Sequence, residues 1–220
     1  ELISQYHFSH QQIVVIPSAC PELPELNPSE DAGVLQKFQL EAQAYLFYVG
    51  SLHQNKNINR MLAAFAQFCE YQTPGQWQLV LAGNHNPDLL AKLTGSFTQV
   101  KFLGRVSNEE KVVLIRNSAL MLFPSLYEGF GSPVLESQSL SRPVITSNTT
   151  SLPAVAGTGA ILVDPRDVSA IARAIAQVIN QEIDVPALIK RGHENLARFS
   201  WQKSADTMLA ILTNCDSGFK

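Results

Sequence analysis

A chain of 220 residues that is 45% hydrophobic holds enough apolar material for the core of one α/β domain. Charged residues make up only 16%, below the roughly 25% of an average soluble protein, so much of the chain should be buried on both faces of something. The 16 basic and 19 acidic residues leave a formal charge of −3, which argues against nucleic acid or an anionic membrane surface as the main partner, because both need a positive field.

The chain opens on Glu1 rather than Met, and the expectation is a piece of something longer. Ile13-Val14-Val15-Ile16 reads as a first strand that stops at Pro17. Residues 17–44 are rich in Pro and Glu and read as an irregular excursion with a short helix near 30–42. From there the rhythm is regular. Tyr45-Leu46-Phe47-Tyr48-Val49 is an apolar run ended by Gly50, and Ile58, Met61, Leu62, Phe65, Phe68 and Cys69 recur at helical spacing after it. Gln78–Ala82 and Val100–Leu103 are strands ended by Gly83 and Gly104. Ser107 and Glu110 have the spacing of a capping box and open a helix to about Asn117. Leu120–Phe123 is a strand ended by Pro124, and a helix runs from about Ser132 to Leu140 with Pro133 in its first turn. Val144–Thr146 and Ile161–Val163 are the last strands. Asp167 caps a helix whose inward face is Val168, Ile171, Ala172, Ile175, Val178 and Ile179, and helical stretches near 186–198 and 201–213 close the chain.

These strands are continuously apolar rather than alternating, which marks a parallel sheet covered on both faces. Strand–helix alternation from 45 to 180 predicts an α/β, doubly wound parallel sheet. In such a fold ligands bind at the carboxyl ends of the strands, so function should sit in 50–57, 83–86, 104–106, 124–132 and 147–152.

The segment 124–136 is the most informative of these. Gly129 and Gly131 let the backbone approach a ligand, and the N–H groups of Phe130, Gly131 and Ser132 lie at a helix start, where a diphosphate is favoured. Glu128 precedes the turn and Glu136 follows eight positions on; carboxylates accept pairs of hydroxyls, as on a ribose or a sugar. The competing reading is a tight turn with two solvated acids, which would suffice for a lone Gly-x-Gly. Lys56, near another helix start, can reach a phosphate as a point charge or simply be solvated. His53 reads as a base or, more simply, as an exposed polar loop histidine. Arg105 either reaches the phosphates or pairs with Glu109 or Glu110, and the backbone at Gly104 can border a base. Gly83-Asn84-His85-Asn86 is a weaker rim candidate. Ser147–Ser151 lines an acceptor side or caps the short helix at 152–155. Asn148-Thr149-Thr150 fits an N-glycosylation pattern of a kind that arises often by chance.

Other chemistries lack their motifs. There is no Gly-x-Gly-x-x-Gly at the first strand exits, no phosphate loop ending in Gly-Lys-Ser/Thr, no Gly-x-Ser-x-Gly elbow and no paired aspartates for a divalent metal. Cys20, Cys69 and Cys215 are too far apart for a Cys-x-x-Cys framework, and a reducing compartment is the simplest setting.

From about Ile13 to its end the chain resembles the C-terminal, donor-binding domain of the family-four (group 1) retaining glycosyltransferases, mannosyltransferase-like members included. The Glu-x7-Glu motif is Glu128-Gly129-Phe130-Gly131-Ser132-Pro133-Val134-Leu135-Glu136. Around it stand Tyr48-Val49-Gly50-Ser51, Lys56-Asn57, Val80-Leu81-Ala82-Gly83, Phe102-Leu103-Gly104, Arg142-Pro143-Val144-Ile145, Leu152-Pro153-Ala154-Val155-Ala156-Gly157, Leu162-Val163-Asp164-Pro165 and Phe199-Ser200-Trp201. The resemblance implies a Rossmann-like fold, the C-terminal half of a GT-B enzyme. It implies 1–12 as a linker remnant, 13–200 as the nucleotide-sugar domain, and 201–220 as a helix packing back toward a missing N-terminal acceptor domain.

It also implies roles. Glu136 holds the ribose hydroxyls, Glu128 sits near the transferred sugar, and the amides of Phe130, Gly131 and Ser132 contact sugar and diphosphate. Gly129 belongs to the same turn, Gly50 and Ser51 to the donor pocket. Lys56 neutralises the leaving diphosphate, and Gly104 and Arg105 border the base. Glu128 and Lys56 are thus the catalytic candidates. The implied co-substrate is a nucleotide-diphosphate sugar, GDP-mannose first and a UDP-sugar second, with no cofactor and no metal, because basic side chains and helix dipoles take the charge. The acceptor is a saccharide or lipid-linked hydroxyl in polysaccharide biosynthesis, and the setting is cytoplasmic, peripheral at a membrane through the missing domain. The chain departs from the usual pattern at Ser51 (often Arg), Gln138 (often Met), Ser141 (often Gly) and Ala154 (often Glu). Alternatives on the same scaffold are a non-catalytic nucleotide-binding module and a sugar-nucleotide epimerase.

Overall fold

Six short apolar runs lie side by side in one sheet, with every neighbouring pair parallel: β1 (Tyr45–Val49), β2 (Gln78–Ala82), β3 (Val100–Gly104), β4 (Leu120–Phe123), β5 (Val144–Ser147) and β6 (Ile161–Val163). The computed structural model describes residues 2–9, 13–73, 75–84 and 98–216. The strand order is β3-β2-β1-β4-β5-β6, so the chain winds outward from β1 in one direction, returns, and winds outward again from β4. The doubly wound α/β class and the Rossmann-like topology follow from that order. Tyr45–Tyr48 and Leu120–Phe123 are fully buried, whereas the outermost β3 is half-buried throughout, as befits an edge.

Two compact units are present, one of residues 21–197 and one of 1–20 with 198–220. In the first, α2 (Asp31–Phe38) precedes the sheet. α3 (Ile58–Cys69) buries Ile58, Met61, Leu62, Ala64, Phe65 and Phe68, the stripe its periodicity announces, and packs against α7 (Val168–Ile179). α4 (Asn108–Asn117) opens on the capping box: the Ser107 hydroxyl accepts from the Glu110 N–H at 3.2 Å, and the Glu110 carboxylate accepts from the Ser107 N–H at 2.9 Å. α5 (Ser132–Ser139), α6 (Leu152–Ala156) and α8 (Val185–Leu196) complete the unit, with α5 against α8. Asp167 and Asp184 cap α7 and α8, accepting from the N–H groups of Ala170 and Ala187 at 2.8 and 2.9 Å.

α2 is fastened at both ends. Asp31 takes a two-pronged ion pair from Arg116 and a 2.7 Å hydrogen bond from the Asn117 amide, and Lys101 donates to the carbonyls of Phe38 and Gln39 at the other end. Inside the sheet the Tyr45 hydroxyl donates to the Leu114 carbonyl at 2.7 Å, and burial pushes its phenol well above the ordinary value.

The second unit holds α1 (Leu2–Tyr6) and α9 (Trp201–Asp216), where the Ser204 hydroxyl donates to the Pro17 carbonyl at 2.7 Å. The strand expected at Ile13–Ile16 is not formed. Those residues have no regular structure, and Val15 is 81% exposed, because a β-branched run without a neighbouring strand has nothing to complete its hydrogen bonds. Among the described residues no helix is long and apolar enough to cross a membrane.

Candidate functional site

The sheet reverses its winding between β1 and β4, and the loops leaving those two strands meet at their carboxyl ends. The Leu126 N–H donates to the Asn55 carbonyl at 2.8 Å. Asn57 is the joint. It is 3% exposed, holds a left-handed φ of 62° at the start of α3, and its amide nitrogen donates to the carbonyls of Pro124 (2.9 Å) and Pro165 (2.6 Å). Its side-chain oxygen accepts from Arg60 at 3.2 Å. One buried amide therefore ties together the exits of β1, β4 and β6.

Beside it the Lys56 ammonium lies 2.6 Å from the Glu128 carboxylate. Only 16% and 11% of the two side chains are exposed, so the pair is sheltered from solvent. The same ammonium stands 5.8 Å from the centre of the Phe123 ring, on which the Tyr48 ring stacks at 5.7 Å. The Tyr48 hydroxyl donates to the Ser51 carbonyl at 2.9 Å. Burial, and then the nearby Glu128 charge, push that phenol far above its ordinary value, so it serves as a neutral donor.

After Glu128 the chain turns through Gly129 and Phe130 into α5. Gly131 is required there. Its φ is +105°, and a Cβ would lie 2.6 Å from the Leu152 side chain. Ser132 then begins the helix, followed by Pro133. One turn further Glu136 is 5% exposed. Its Oε1 accepts from Lys111 of α4 at 3.0 Å, and its Oε2 is buried without a hydrogen-bond partner among the described residues. Ser125 Oγ and Thr149 Oγ1, at the exits of β4 and β5, are buried and unpartnered in the same sense. Orphaned polar atoms of this kind are uncommon in folded proteins, and three fall on this edge of the sheet.

The other sequence candidates take their places around this centre. Gly50 donates to the Ala82 carbonyl at 2.9 Å, and a Cβ on the facing Gly83 would sit 1.9 Å from the Gly50 carbonyl oxygen, so the two exits touch backbone to backbone. Gly104 accepts from the Gly83 N–H at 2.7 Å. Arg105 is exposed, and no ion pair joins it to Glu109 or Glu110; the Glu110 carboxylate is engaged by Lys37. His53 is exposed and lines, with Gln54, Asn57, Arg60 and Leu126, a cavity of about 470 Å³ beside the β1 exit. His85 and Asn86 lie outside the described residues. Ser151 makes no capping bond to α6; its hydroxyl donates instead to the carbonyls of Glu128 and Phe130. Among the described residues no cluster of three His, Cys, Asp or Glu side chains could hold a metal ion.

Sequence reasoning named the acids and Lys56 but missed Lys111 as the partner of Glu136 and gave Asn57 no role. It also missed a buried amide pair behind α5. Gln138 donates to the carbonyls of Ala156 (3.0 Å) and Gly159 (3.2 Å), while Asn195 of α8 donates to the Gln138 oxygen (2.9 Å) and to the Val155 carbonyl (2.8 Å). The one available hint was Gln138 itself, which stands where Met is common in the family the chain resembles.

Known proteins share this chain's sequence pattern and fold. The family model described as glycosyl transferases group 1 matches residues 34–195. The chain is 34% identical over 209 residues to O-antigen chain mannosyltransferase B of Escherichia coli, covering 92% of this chain and 54% of that protein. It superposes on sucrose-phosphate synthase from Thermosynechococcus elongatus with a TM-score of 0.73 at 25% identity, covering 92% of this chain and 52% of that one. An Anabaena protein crystallised with UDP and glucose gives a TM-score of 0.70 at 18% identity, over 86% and 53% of the two chains. The chain thus spans about half the length of these relatives. The family model and the 34% identical relative place it among the group 1 glycosyltransferases, the superposition gives it the fold of a GT-B half, and it belongs to that family.

Proposed function

We propose that this chain is the donor-binding half of a retaining hexosyltransferase that takes a nucleotide-diphosphate sugar, mannose in the first instance, and delivers the hexosyl group to a saccharide or lipid-linked acceptor hydroxyl. The observation that carries the reading is the convergence of Lys56, Glu128 and the start of α5 at the β1–β4 switch point, with a buried unpartnered oxygen of Glu136 one turn along.

Breaking the bond between the anomeric carbon and the diphosphate leaves extra negative charge on the phosphate. Lys56 and the N–H groups at Gly131 and Ser132 are the groups that stabilise it, in a sheltered site where fixed donors contribute most. Removing either source raises the barrier by a few kcal/mol, on the scale of a lost oxyanion donor. Glu128 accepts from sugar hydroxyls, Glu136 from the ribose, and Gly104 with Arg105 borders the base. The charge balance calls for no metal and no cofactor. The unit of residues 21–197 serves as the donor domain. The helix from 201 presents Trp201, Met208, Leu209 and Leu212, all exposed, to an N-terminal acceptor domain. In that arrangement the protein works in the cytoplasm, at the membrane surface where a lipid-linked acceptor would lie.

Calorimetry with GDP, UDP and ADP, followed by transfer assays with the matching sugars on the full-length protein and NMR of the product anomer, tests this. Nucleotide binding with transfer and retained configuration is expected; inverted product or no transfer overturns it. Ser51 and Ala154, which replace a common Arg and Glu, favour one second reading, a module that binds nucleotide without transfer.

A further inference from the structure

The Glu128–Phe130 turn has no regular secondary structure, contains Gly129 and is followed by Gly131, so its own backbone does little to hold it. It is held from outside. Ser151 Oγ lies 2.9 Å from the Glu128 carbonyl and 3.0 Å from the Phe130 carbonyl, and its proton is shared between them. Thr150, itself in the left-handed conformation (φ 59°), accepts at its Oγ1 from the Glu128 N–H at 3.4 Å. The next residue, Leu152, packs directly under Gly131. The peptide groups on both sides of the Glu128 α-carbon are therefore gripped by two consecutive hydroxyls of the β5–α6 turn.

We infer that Thr150 and Ser151 are positioning residues that fix Glu128 in register with Lys56, and so set the sugar end of the site separately from its nucleotide end. The inference rests on the donor-site reading above. The nucleotide end is anchored elsewhere: Glu136 rides on α5 and is held by Lys111 of α4. Loss of the clamp should therefore be felt more in the transfer step than in nucleotide affinity, to which the Glu136 end still contributes.

The test uses Ser151→Ala, Ser151→Thr, and the double variant Thr150→Val/Ser151→Ala. Three readouts are taken: amide exchange of the 126–131 segment, calorimetric affinity for GDP and UDP, and kcat and KM for sugar transfer by the full-length protein. Ser151→Ala is expected to speed exchange about tenfold, keep nucleotide affinity within about threefold and lower kcat about tenfold or more, with Ser151→Thr restoring both exchange and kcat. Unchanged exchange in the double variant overturns the clamp, as does faster exchange with wild-type kcat. A wild-type protein that neither binds nucleotide nor transfers sugar would sink the donor-site reading instead, while faster exchange in Ser151→Ala would still support the clamp.

Discussion

Lys56 and Glu128 are 72 positions apart in the chain and 2.6 Å apart in the fold, joined across the line where the sheet reverses its winding. In the absence of a donor each neutralises the other. On the proposed donor site, a diphosphate beside Lys56 would compete with the carboxylate for the same ammonium, leaving Glu128 free to accept from the sugar. Glu128→Gln should therefore bind nucleoside diphosphate more tightly than wild type while transferring sugar poorly, and Lys56→Ala should bind about tenfold more weakly, roughly 1.4 kcal/mol. Calorimetry at two salt concentrations checks both; equal affinities in the three proteins would show that Lys56 does not meet the phosphates.

Asn57 combines a left-handed backbone with an amide that satisfies two buried carbonyls. Asn57→Gly keeps the backbone and loses the bonds; Asn57→Ala loses both. We expect destabilisation of about 1–3 kcal/mol for glycine from the orphaned carbonyls, and about 1 kcal/mol more for alanine from the strained φ. Urea denaturation of the two variants gives the order, and alanine proving milder than glycine would contradict it.

Glu136 is buried against the Lys111 ammonium. Lys111→Met leaves that carboxylate uncompensated and should lower stability by about 2 kcal/mol or more, whereas Lys111→Met with Glu136→Gln should recover much of the loss. Thermal melts of the single and double variants measure this. Additive effects would mean that the two groups do not interact.

Gln138 and Asn195 share one hydrogen bond and satisfy three further carbonyls between them. A double-mutant cycle with Gln138→Met and Asn195→Ala should return a coupling of about 1 kcal/mol or more, because either single change strands buried polar groups that the other still presents. A coupling near zero in denaturant titrations would refute the network.

The Glu110 carboxyl is held below its ordinary value of 4.5, first by Lys37 and then by the Ser107 N–H. A depressed carboxyl contributes stability above the ordinary value and loses it as pH falls through the folded one. Lys37 is largely exposed, which limits the contribution to roughly 0.5 kcal/mol. The gap between wild type and Glu110→Gln in urea midpoints should be open at pH 7 and narrow below about pH 4. A gap that widens on acidification would reverse the sign.

Much of the fold was legible in the sequence because it is written in local terms. The apolar runs of β1, β2, β4 and β5, the stripes of α3 and α7, the Ser107–Glu110 box and the Asp167 cap each depend on residues within a turn or two of one another. The same holds for the two acids and glycines at 128–136, whose spacing on a strand-to-helix turn already suggests a nucleotide-sugar site. Ile13–Ile16 shows the limit of such reasoning: its composition suits a strand, but whether a strand forms depends on a neighbour that composition does not specify.

What the tertiary structure alone decided is pairing. Strand order sets β1 beside β4, and from that single adjacency come the Lys56–Glu128 pair and the Asn57 bridge. Lys111 beneath Glu136 and Ser151 behind Glu128 likewise join segments that no spacing rule connects. The physical reason is that a charge or a hydroxyl carries no label for its partner; the partner is whatever the packed helices and crossover connections bring within 3 Å of it.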